Sequence, residues 1–528
     1  MSGLITTVQL LRSQAERQGD KVYAAVRDGG TMTYGEALVQ AEAVRNGLAS
    51  CGVRRGDRVS AWLPNGLELI SSIFGANLLG AALAPCNVAY RGGVLQHVVN
   101  LAAAEILIAH EQLVPRLEGL DLPHLRMVVV VGDSGVPVPA GLQRLDWGEL
   151  VSLPAPGGVR DPDPLPHEDM IVIYTSGTTG VSKGVRCSYL HHAEFSRYLQ
   201  VGDLGGDDRA LVTLPLFHIG GTKWLYTMLR WGGSIGVLPR FSTESFWDDV
   251  RALGATTGTI LAAMAGFLLA EPQSDDDAEN PLRIALVNPT HPQWAEFEVR
   301  FGVQLWSGFG MTEVPGVLKT PLSYEKLDSV GRVASADWEL RLVDDHDEEV
   351  TPGEAGEAIV RHARPWTITH GYVGMPEATA TAWRNGWFHT GDILVRDLEG
   401  DFYFVDRKKD SLRRRGENVS SFEVESEITR HPEVLEAAVV AVRADTEDDI
   451  LAFVLRRPAS ELEHAALVEF LVPRMAHFMI PRYFEFVDEM PRTPTQKIQK
   501  DILRERGIST ATWDRESMGM LIKADRLS

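Results

Sequence analysis

A polar loop that follows directly on an apolar run is the feature that most restricts how this chain folds. The run Met170–Ile173 has the length and composition of a buried strand. The stretch Tyr174–Gly184 then sets three glycines and a series of hydroxyl side chains around Lys183. Glycines let backbone N–H groups approach a phosphate, hydroxyls donate hydrogen bonds, and the lysine supplies positive charge. The pattern therefore predicts a strand that leads into a polyphosphate-binding loop.

This loop does not follow the best-known phosphate-binding pattern. In G-x-x-x-x-G-K-[ST], counted from Gly177, glycine would stand at position 182 and a hydroxyl residue at position 184. The sequence has Ser182 and Gly184 there instead. We therefore expect a nucleotide-binding loop of another class.

Length and composition indicate a globular protein of more than one domain. A chain of 528 residues is too long for one simple core and allows two to four domains. Its apolar content of 44% and charged content of 23% are ordinary for soluble proteins. The formal net charge of −21 argues against a general binder of nucleic acids or anionic membranes.

We expect a cytoplasmic protein without a membrane span. The first ten residues lack a basic region followed by an apolar core, so we expect no secretory signal. The longest apolar stretch, Leu69–Ala84, is short for a span and is interpreted as a buried helix. Three unpatterned cysteines fit a reducing compartment.

The order of elements predicts an α/β fold followed by a smaller domain. Amphipathic stretches alternate with short β-rich runs through the first half, which favours α/β sheets with parallel strands. After residue 400 the five charges of Asp406–Asp410 indicate a solvated surface turn. Beyond them lies a compact α+β pattern of about 120 residues, the size of one small domain.

Two acidic residues are candidates for nucleotide chemistry. Glu313 follows Thr312, and a carboxylate beside a hydroxyl suits Mg²⁺, a hard cation that prefers oxygen ligands. The pair alone could equally be a helix cap. Asp392 could accept hydrogen bonds from both hydroxyls of a ribose, and Gly391–Asp392 also fits a turn between strands.

The Tyr174–Gly184 loop closely resembles the signature of the adenylate-forming superfamily, which comprises acyl-CoA synthetases, peptide-synthetase adenylation domains and luciferases. Further motifs continue the resemblance over most of the chain. It implies a large N-terminal adenylation domain at residues 1–406 and a hinge at 407–410, with Lys409 at the hinge position. A small mobile C-terminal domain would cover residues 411–528.

The resemblance also implies an ATP site. The segment Phe309–Glu313 resembles the motif Tyr-Gly-x-Thr-Glu, in which the glutamate holds Mg²⁺ and the threonine contacts the α-phosphate. Phe309 would stack on adenine without the usual tyrosine hydroxyl. Segment Trp387–Asp392 resembles the ribose-binding motif, and Arg407 would be a second ribose or phosphate contact. The residues expected to bind ATP are Thr175, Ser176, Gly177, Thr178, Thr179, Gly180, Lys183, Phe309, Gly310, Asp392 and Arg407.

The catalytic lysine and the acyl pocket follow from two further motifs. Pro491–Lys500 resembles the C-terminal lysine motif, so Lys497 would bridge the substrate carboxylate and the α-phosphate, although Gln496 stands where glycine is common. Leu214–Gly221 resembles the segment that lines the acyl pocket, where His218 would border the carboxylate. On an apolar run His218 would otherwise be a core histidine. The expected catalytic residues are Lys497, Thr312, Glu313 and His218.

One basic island is a candidate CoA site. Arg413–Arg415 precede Gly416 and Glu417, and in CoA ligases the corresponding turn helps to form the pantetheine tunnel. Arg413 and Arg414 could bind the phosphates of CoA. The wording of 414–420 is close to carnitine- and crotonobetaine-type CoA ligases. The alternative is a solvated basic turn.

The sequence expected to form the wall of the acyl pocket differs from the family pattern. Many members carry Gly-Gly-Ala-Pro-Leu before the Thr-Glu motif, but here residues 285–292 read Ala-Leu-Val-Asn-Pro-Thr-His-Pro. Lys223 is interpreted as a surface charge or as a contact for an anionic group of the substrate. The residues expected to line the pocket are Phe217, Gly221, Lys223, Asn288 and Thr290.

The leading hypothesis is an AMP-forming ligase that uses ATP and Mg²⁺ to adenylate a carboxylic acid and passes the acyl group to CoA. One rival keeps the fold but changes the acid or acceptor, as in loading a carrier protein or an amine, or in diazotising an aryl amine with nitrite. A second, lower-ranked rival is a non-catalytic nucleotide-binding relative. The sequence does not name the acid.

Overall fold

The computed structural model of the chain describes residue 3 and residues 5–132, 135–157, 162–175, 182–290, 293–407, 412–414, 417–419, 421–444, 447–475, 479–493 and 497–520. At 407, 412–414, 417, 418, 423, 443, 444, 447 and 448 the description covers the backbone alone. The helices are α1 Thr7–Gln18, α2 Tyr34–Ser50, α3 Leu67–Leu78, α4 Gly92–Ala102, α5 Trp147–Ser152, α6 Tyr189–Tyr198, α7 Ile219–Trp231, α8 Phe246–Leu253, α9 Ala262–Ala270, α10 Trp294–Phe301, α11 Pro376–Ala382, α12 Ser421–Thr429, α13 His464–Leu471 and α14 Lys500–Arg506, with a 3-10 turn at Val114–Leu117.

Two seven-stranded sheets form the first part of the chain. Their strands are β1 Val22–Val26, β2 Gly30–Thr33, β3 Arg58–Trp62, β4 Ala82–Pro85, β5 Ile106–His110, β6 Met127–Val131, β7 Gln143–Asp146, β8 Asp169–Thr175, β9 Lys183–Ser188, β10 Arg209–Val212, β11 Ser234–Val237, β12 Thr257–Leu261, β13 Ile284–Asn288 and β14 Gln304–Trp306. The orders are β7-β6-β5-β3-β4-β8-β9 and β14-β13-β12-β10-β11-β1-β2. Neighbours run parallel except for the edge pairs β8–β9 and β1–β2. The α/β prediction is confirmed here.

A third sheet is antiparallel and completes the N-terminal domain. Its strands are β15 Gly308–Phe309, β16 Leu318–Lys319, β17 Ser329–Val333, β18 Trp338–Val343, β19 Ala355–His362, β20 Trp383–Arg384, β21 Trp387–Arg396 and β22 Phe402–Arg407. They run in the order β15-β16-β17-β22-β21-β19-β18, with β20 beside β21. This sheet carries three of the predicted motifs, at 309–313, 387–392 and 407.

The C-terminal part has its own sheets and its own core. Its strands are β23 Leu412–Arg414, β24 Glu417–Val419, β25 Val434–Ala444, β26 Glu447–Arg456, β27 Tyr483–Val487 and β28 Trp513–Asp514. Strands β25 to β28 form one sheet, and Val424, Ile450, Leu467 and Phe484 are buried together among helices α12 and α13. A large α/β domain with a separate α+β domain is therefore confirmed.

Two local predictions were wrong. The apolar stretch Leu69–Ala84 is not one helix, because α3 ends at Leu78 and β4 begins at Ala82. Gly80 separates them with a φ of 75°, a left-handed conformation that glycine adopts readily and that stops a helix. In the charged run Asp406–Asp410, the prediction of a solvated turn is wrong at Asp406, which is 3% exposed and whose carboxylate accepts the backbone N–H of Ser421 at 2.7 Å, joining β22 to α12. Residues 408–410 lie outside the described residues.

Within the described ranges, none of the helices combines the length and the apolar character that crossing a bilayer requires.

Candidate active site

The predicted phosphate loop is framed by two antiparallel strands. β8 and β9 pair so that Thr175 lies opposite Lys183. The backbone carbonyl of Ser182, just before β9, accepts a hydrogen bond from His97 Nε2 at 2.8 Å. The loop residues Ser176, Gly177, Thr178, Thr179 and Gly180 lie outside the described residues. Both ends of the loop are therefore held at one edge of the first sheet.

A tyrosine joins two of the predicted site residues. The ammonium of Lys183 lies 4.8 Å from the ring centroid of Tyr372, and the phenol of Tyr372 donates to Glu313 Oε1 at 3.0 Å. Burial first, and then the Glu313 carboxylate, raises the pKa of this phenol, so it stays protonated and remains a donor. Lys183 and Glu313, which are 130 residues apart, thus meet across one side chain.

The backbone fixes Tyr372 beside the phosphate loop. Tyr372 forms a β-bridge with Val185, and the backbone N–H of Val373 donates to the carbonyl of Gly184 at 2.8 Å. The backbone N–H of Tyr372 donates to Thr379 Oγ1 at 3.0 Å, which ties it to α11. Sequence reasoning missed Tyr372. The signal available was its place after a glycine and shortly before a proline-initiated helix, which does not separate it from a core aromatic residue.

Thr312 and Glu313 lie in a tight buried turn. Met311 and Val314 exchange backbone hydrogen bonds of 2.9 and 3.2 Å around them, and both side chains are 6% exposed. No helix begins at this described turn, so the helix-cap interpretation is wrong. A Cβ on Gly310 would lie 2.9 Å from the Cα of Gly316, which explains why the motif needs glycine there. Phe309, before it, is buried in the core of the third sheet.

The two expected ribose contacts are neighbours in the third sheet. Asp392 pairs with Arg407 across β21 and β22. Gly391 has a φ of 72° and donates its N–H to Glu357 Oε1 at 3.2 Å, while the N–H of Asp392 donates to Thr390 Oγ1 at 3.1 Å. These residues therefore form an irregularity inside a long strand. The interpretation as a turn between strands was wrong.

His218 begins helix α7 at the carboxyl end of β10. Its Nδ1 accepts the backbone N–H of Gly220 at 3.1 Å, which leaves the ring proton on Nε2. Burial, then the charges of Lys497 and Lys223, lower the pKa of His218 to about 3, so the imidazole is neutral. A Cβ on Gly221 would lie 2.5 Å from the carbonyl oxygen of Pro215, so only glycine fits.

Lys497 comes from the C-terminal domain and faces the same place. The N–H of Thr493 donates to the carbonyl of Lys497 at 2.7 Å, and the N–H of Lys497 returns to Thr493 Oγ1 at 3.1 Å. The side chain is exposed. Its charge lowers the pKa of His218, so the predicted lysine and histidine lie within electrostatic range of each other.

The predicted pocket wall lies at the same sheet edge. β10, β12 and β13 run parallel, so their carboxyl ends meet on one side of the sheet. β10 leads to Phe217 and His218, and β13 ends at Asn288, with half-buried Thr290 shortly after. Phe217 is buried, whereas Asn288 is half-buried.

The predicted CoA site is described only in part. Arg413 and Arg414 in β23 pair with β24 in an antiparallel hairpin, where Arg414 lies opposite Glu417. Gly416 and the hinge residue Lys409 lie outside the described residues. The structure thus supplies a backbone hairpin for this region, and the roles of its side chains stay predictions.

Comparison with known proteins agrees with this arrangement. The family described as AMP-binding enzyme matches residues 11–373, and its C-terminal domain matches residues 423–497. The sulfoacetate–CoA ligase of Cupriavidus necator is 29% identical over 94% of this chain and 96% of that protein. The crotonobetaine/carnitine–CoA ligase of Salmonella enteritidis is 30% identical over 86% of this chain and 89% of that protein.

One solved structure with a similar fold contains an acyl-adenylate. The anthranilate CoA ligase AuaEII in complex with anthranoyl-AMP superposes with a TM-score of 0.86 at 25% identity, covering 95% of this chain and 97% of that one. The fold, the family match and these relatives agree. This chain belongs to the AMP-binding enzyme family and is an AMP-forming acid ligase of the acyl-CoA synthetase type.

Proposed function

We propose that the protein activates a carboxylic acid with ATP and transfers the acyl group to the thiol of CoA. The observation that carries this proposal is the assembly of Lys183, Tyr372 and Glu313 at the phosphate loop. A cation, a phenol and a carboxylate in contact provide what binding of a Mg²⁺-polyphosphate needs. The CoA ligases among the relatives support the choice of acceptor.

In the first step, the substrate carboxylate attacks the α-phosphorus of ATP, and the bond to pyrophosphate breaks. Lys183 would hold the pyrophosphate side, and Thr312 would contact the α-phosphate. The oxygen donors of Thr312 and Glu313 fit Mg²⁺, and Glu313 would hold this ion, which supplies charge neutralisation when bound. Lys497 would stabilise the charge that develops between the carboxylate and the α-phosphate.

His218 has a distinct role in that step. Its imidazole is neutral and its ring is fixed by Gly220, so Nε2–H can donate to the substrate carboxylate without adding a third positive charge. This would orient the attacking oxygen toward the α-phosphorus, and orientation of reacting groups lowers the barrier substantially.

In the second step, the thiol sulfur of CoA attacks the acyl carbonyl and AMP leaves. We assign this step to the hairpin at 412–419, whose arginines would meet the phosphates of CoA. The adenylation domain at 1–406, the hinge at 407–410 with Lys409 and the mobile domain at 411–528 remain our proposed division. The three cysteines are free thiols, which supports a cytoplasmic site for the reaction.

The acid is not inherited from the relatives, because their named substrates differ. Sulfoacetate carries a second anion, carnitine and crotonobetaine carry a quaternary ammonium, and anthranilate carries an amine. The polar residues Asn288 and Thr290 of the proposed pocket wall do not single out any one of these substrates.

A pyrophosphate-release screen tests the proposal. The purified full chain is incubated with ATP, Mg²⁺ and a panel of short, aryl and inorganic acids, with and without CoA. We expect acid-dependent pyrophosphate release and, with CoA, formation of AMP and an acyl-CoA thioester detected by mass spectrometry. CoA-independent turnover with an amine, a carrier protein, or nitrite plus an aryl amine would contradict CoA as the acceptor. Absence of pyrophosphate with every acid would contradict the ligase itself.

A further inference from the structure

We propose that the acid substrate carries a second anionic group, a carboxylate or a sulfonate, and that Lys223 binds it. This inference rests on the proposed function, since it concerns the same acyl site. It makes Lys223 a specificity-determining residue and favours dianionic acids over neutral and cationic ones.

The first observation is that Lys223 lies on an internal helix. Ten of the 13 residues of α7 are buried, and the helix packs against α1, α6, β10 and β11. Lys223 is flanked by buried Thr222 and Trp224 and is itself half-buried. Lys223 is therefore not a fully exposed surface charge. A lysine on such a helix needs a reason, because lysine is rarely enclosed without a counter-group.

The second observation is that Lys223 has no hydrogen-bond or ion-pair partner within the described ranges. Two other half-buried lysines, Lys21 and Lys500, have such partners. Lys21 donates to the carbonyls of Gly206 and Gly232 at 2.7 Å, and Lys500 lies 2.7 Å from Glu425 Oε1. Partial burial removes hydration from this ammonium, and an anion that bound it would offset the loss.

The third observation is the position of Lys223 relative to the reacting groups. It stands five residues after His218, which is about 7.5 Å along a helix axis. The charges of Lys223 and Lys497 both act on His218, so both cations lie within electrostatic range of the imidazole. Lys497 is assigned to the reacting carboxylate. Lys223 is therefore the cation left for a second anionic group deeper along α7.

The sign of this charge also selects against other acids. A neutral acid of the same length would leave the ammonium unpaired, and sites built for a polar contact reject analogues that lack it. An acid with a quaternary ammonium would place two cations together in an enclosed site. We therefore expect kcat/KM to be highest for acids with a second anionic group, at least tenfold lower for acids whose remaining part is neutral, and at least tenfold lower again for acids whose remaining part carries a cation.

Matched acids test this order in the full chain. Pyrophosphate release is measured for succinate against butanoate, glutarate against pentanoate, sulfoacetate against propanoate, and for 4-(trimethylammonio)butanoate. The carboxylate and sulfonate arms tell which second anion is used. Preference for the neutral or cationic member of these sets would overturn the proposal.

Variants of Lys223 connect the preference to the side chain. Lys223→Met should lower kcat/KM for the preferred dianion by tenfold or more while leaving the neutral partner acid unchanged or improved. Lys223→Arg keeps the charge and should retain much of the preference. Arg230→Met removes a charge two helical turns further along α7 and should not alter the ratio. Equal loss for both acids in Lys223→Met would contradict the assignment.

A binding measurement separates this inference from the proposed reaction. The melting temperature of the wild-type chain should rise more with at least one of succinate, glutarate and sulfoacetate than with its neutral partner acid, and Lys223→Met should remove the difference. If no acid releases pyrophosphate but this difference persists, the ligase proposal fails and the role of Lys223 stands. If turnover occurs without any dianion preference or Lys223-dependent shift in melting temperature, the ligase proposal stands and the role of Lys223 fails.

Discussion

At the scale of single residues, Tyr372 connects the two charged residues of the proposed phosphate site. Its phenol is the shared contact of Lys183 and Glu313, and its raised pKa keeps it a donor. The side chain therefore orients the carboxylate that would hold Mg²⁺. Glu313 and Lys183 were readable in the sequence because their motifs are distinctive. Tyr372 was not, because its role depends on a bridge to Val185 that only the fold creates.

Removing this hydroxyl has a predictable effect. Tyr372→Phe deletes a hydrogen bond to a charged group, worth about 2 kcal/mol, so we expect KM for Mg²⁺-ATP to rise about thirtyfold. The measurement is pyrophosphate release over a range of Mg²⁺-ATP concentrations. Tyr34→Phe is the control. It removes a buried phenol that donates a hydrogen bond of 2.6 Å to the carbonyl of Gly233, outside the proposed site. An unchanged KM in Tyr372→Phe would exclude Tyr372 from the metal-phosphate site.

The pKa of Lys223 gives a second prediction at the residue scale. Burial lowers it from 10.5 to about 8, so the unfolded chain binds more protons than the folded chain between these values. The side chain therefore destabilises the fold below pH 8, and this cost is relieved as the pH rises toward 10.5. An anion needs the protonated form, so the dianion-to-neutral ratio of kcat/KM should fall above about pH 8, approaching tenfold per unit.

The pH dependence of this kcat/KM ratio reports the titration of Lys223 and not that of neighbouring groups. His218 and, on α6, His192 have pKa values of about 3 and about 4 and are neutral throughout, while burial raises the pKa of Tyr226 far above this range. Lys497 acts on both acids of a pair, so its titration cancels in the ratio. The expected fall should be absent in Lys223→Met. A ratio that stays constant from pH 7 to 10 in the wild-type chain would contradict the role of Lys223.

At the scale of elements, the start of α7 carries His218 and Gly221, two residues of the proposed acyl site. Gly221 lets this helix approach the backbone of Pro215, where a Cβ would lie 2.5 Å from a carbonyl oxygen. Gly221→Ala should therefore destabilise the protein by about 1–3 kcal/mol and lower kcat by displacing His218. Thermal unfolding and pyrophosphate release measure the two effects.

A second helical glycine provides the control for that variant. Gly93 lies in α4, and a Cβ at this residue would have no atom within 4 Å, so Gly93→Ala should stabilise the protein slightly or leave it unchanged. If Gly221→Ala behaves like Gly93→Ala, the close approach at Pro215 is not a constraint on the site.

Local patterns predicted most elements but not their partners. Strand β8 contains the expected run Met170–Ile173 and extends it by a few residues. The sequence pattern failed at Leu69–Ala84, where one apolar run serves a helix and a strand separated by Gly80. It also failed at Asp406, since a buried capping carboxylate and a solvated one look alike until the partner, Ser421, is known.

At the scale of the whole molecule, two side-chain contacts link the C-terminal domain to the N-terminal domain in the arrangement that places Lys497 within electrostatic range of His218. Arg457 donates to Gln293 Oε1 at 3.1 Å, and Arg430 lies 3.6 Å from Asp328. Both pairs join the C-terminal domain to the N-terminal domain. If the thioester step needs a rotation about residues 407–410, these contacts must break between the two steps.

Cross-linking tests this requirement. The double variant Gln293→Cys with Arg457→Cys, treated with a short bismaleimide, should retain acid-dependent pyrophosphate release for one turnover but lose acyl-CoA formation. The single variants treated in the same way are the controls. The native thiols do not interfere strongly, since Cys86 and Cys187 are buried and Cys51 is half-buried. Full acyl-CoA formation by the linked protein would exclude rotation as a necessary step.

The most direct test of the central claim is acid-dependent exchange of labelled pyrophosphate into ATP, measured without CoA. We expect exchange in the wild-type chain with the preferred acid and its abolition in Lys497→Ala, because the proposed adenylation step uses the Lys497 charge in both directions. Full exchange in Lys497→Ala would contradict the assignment of the site, and absence of exchange in the wild-type chain with every acid would contradict adenylation itself.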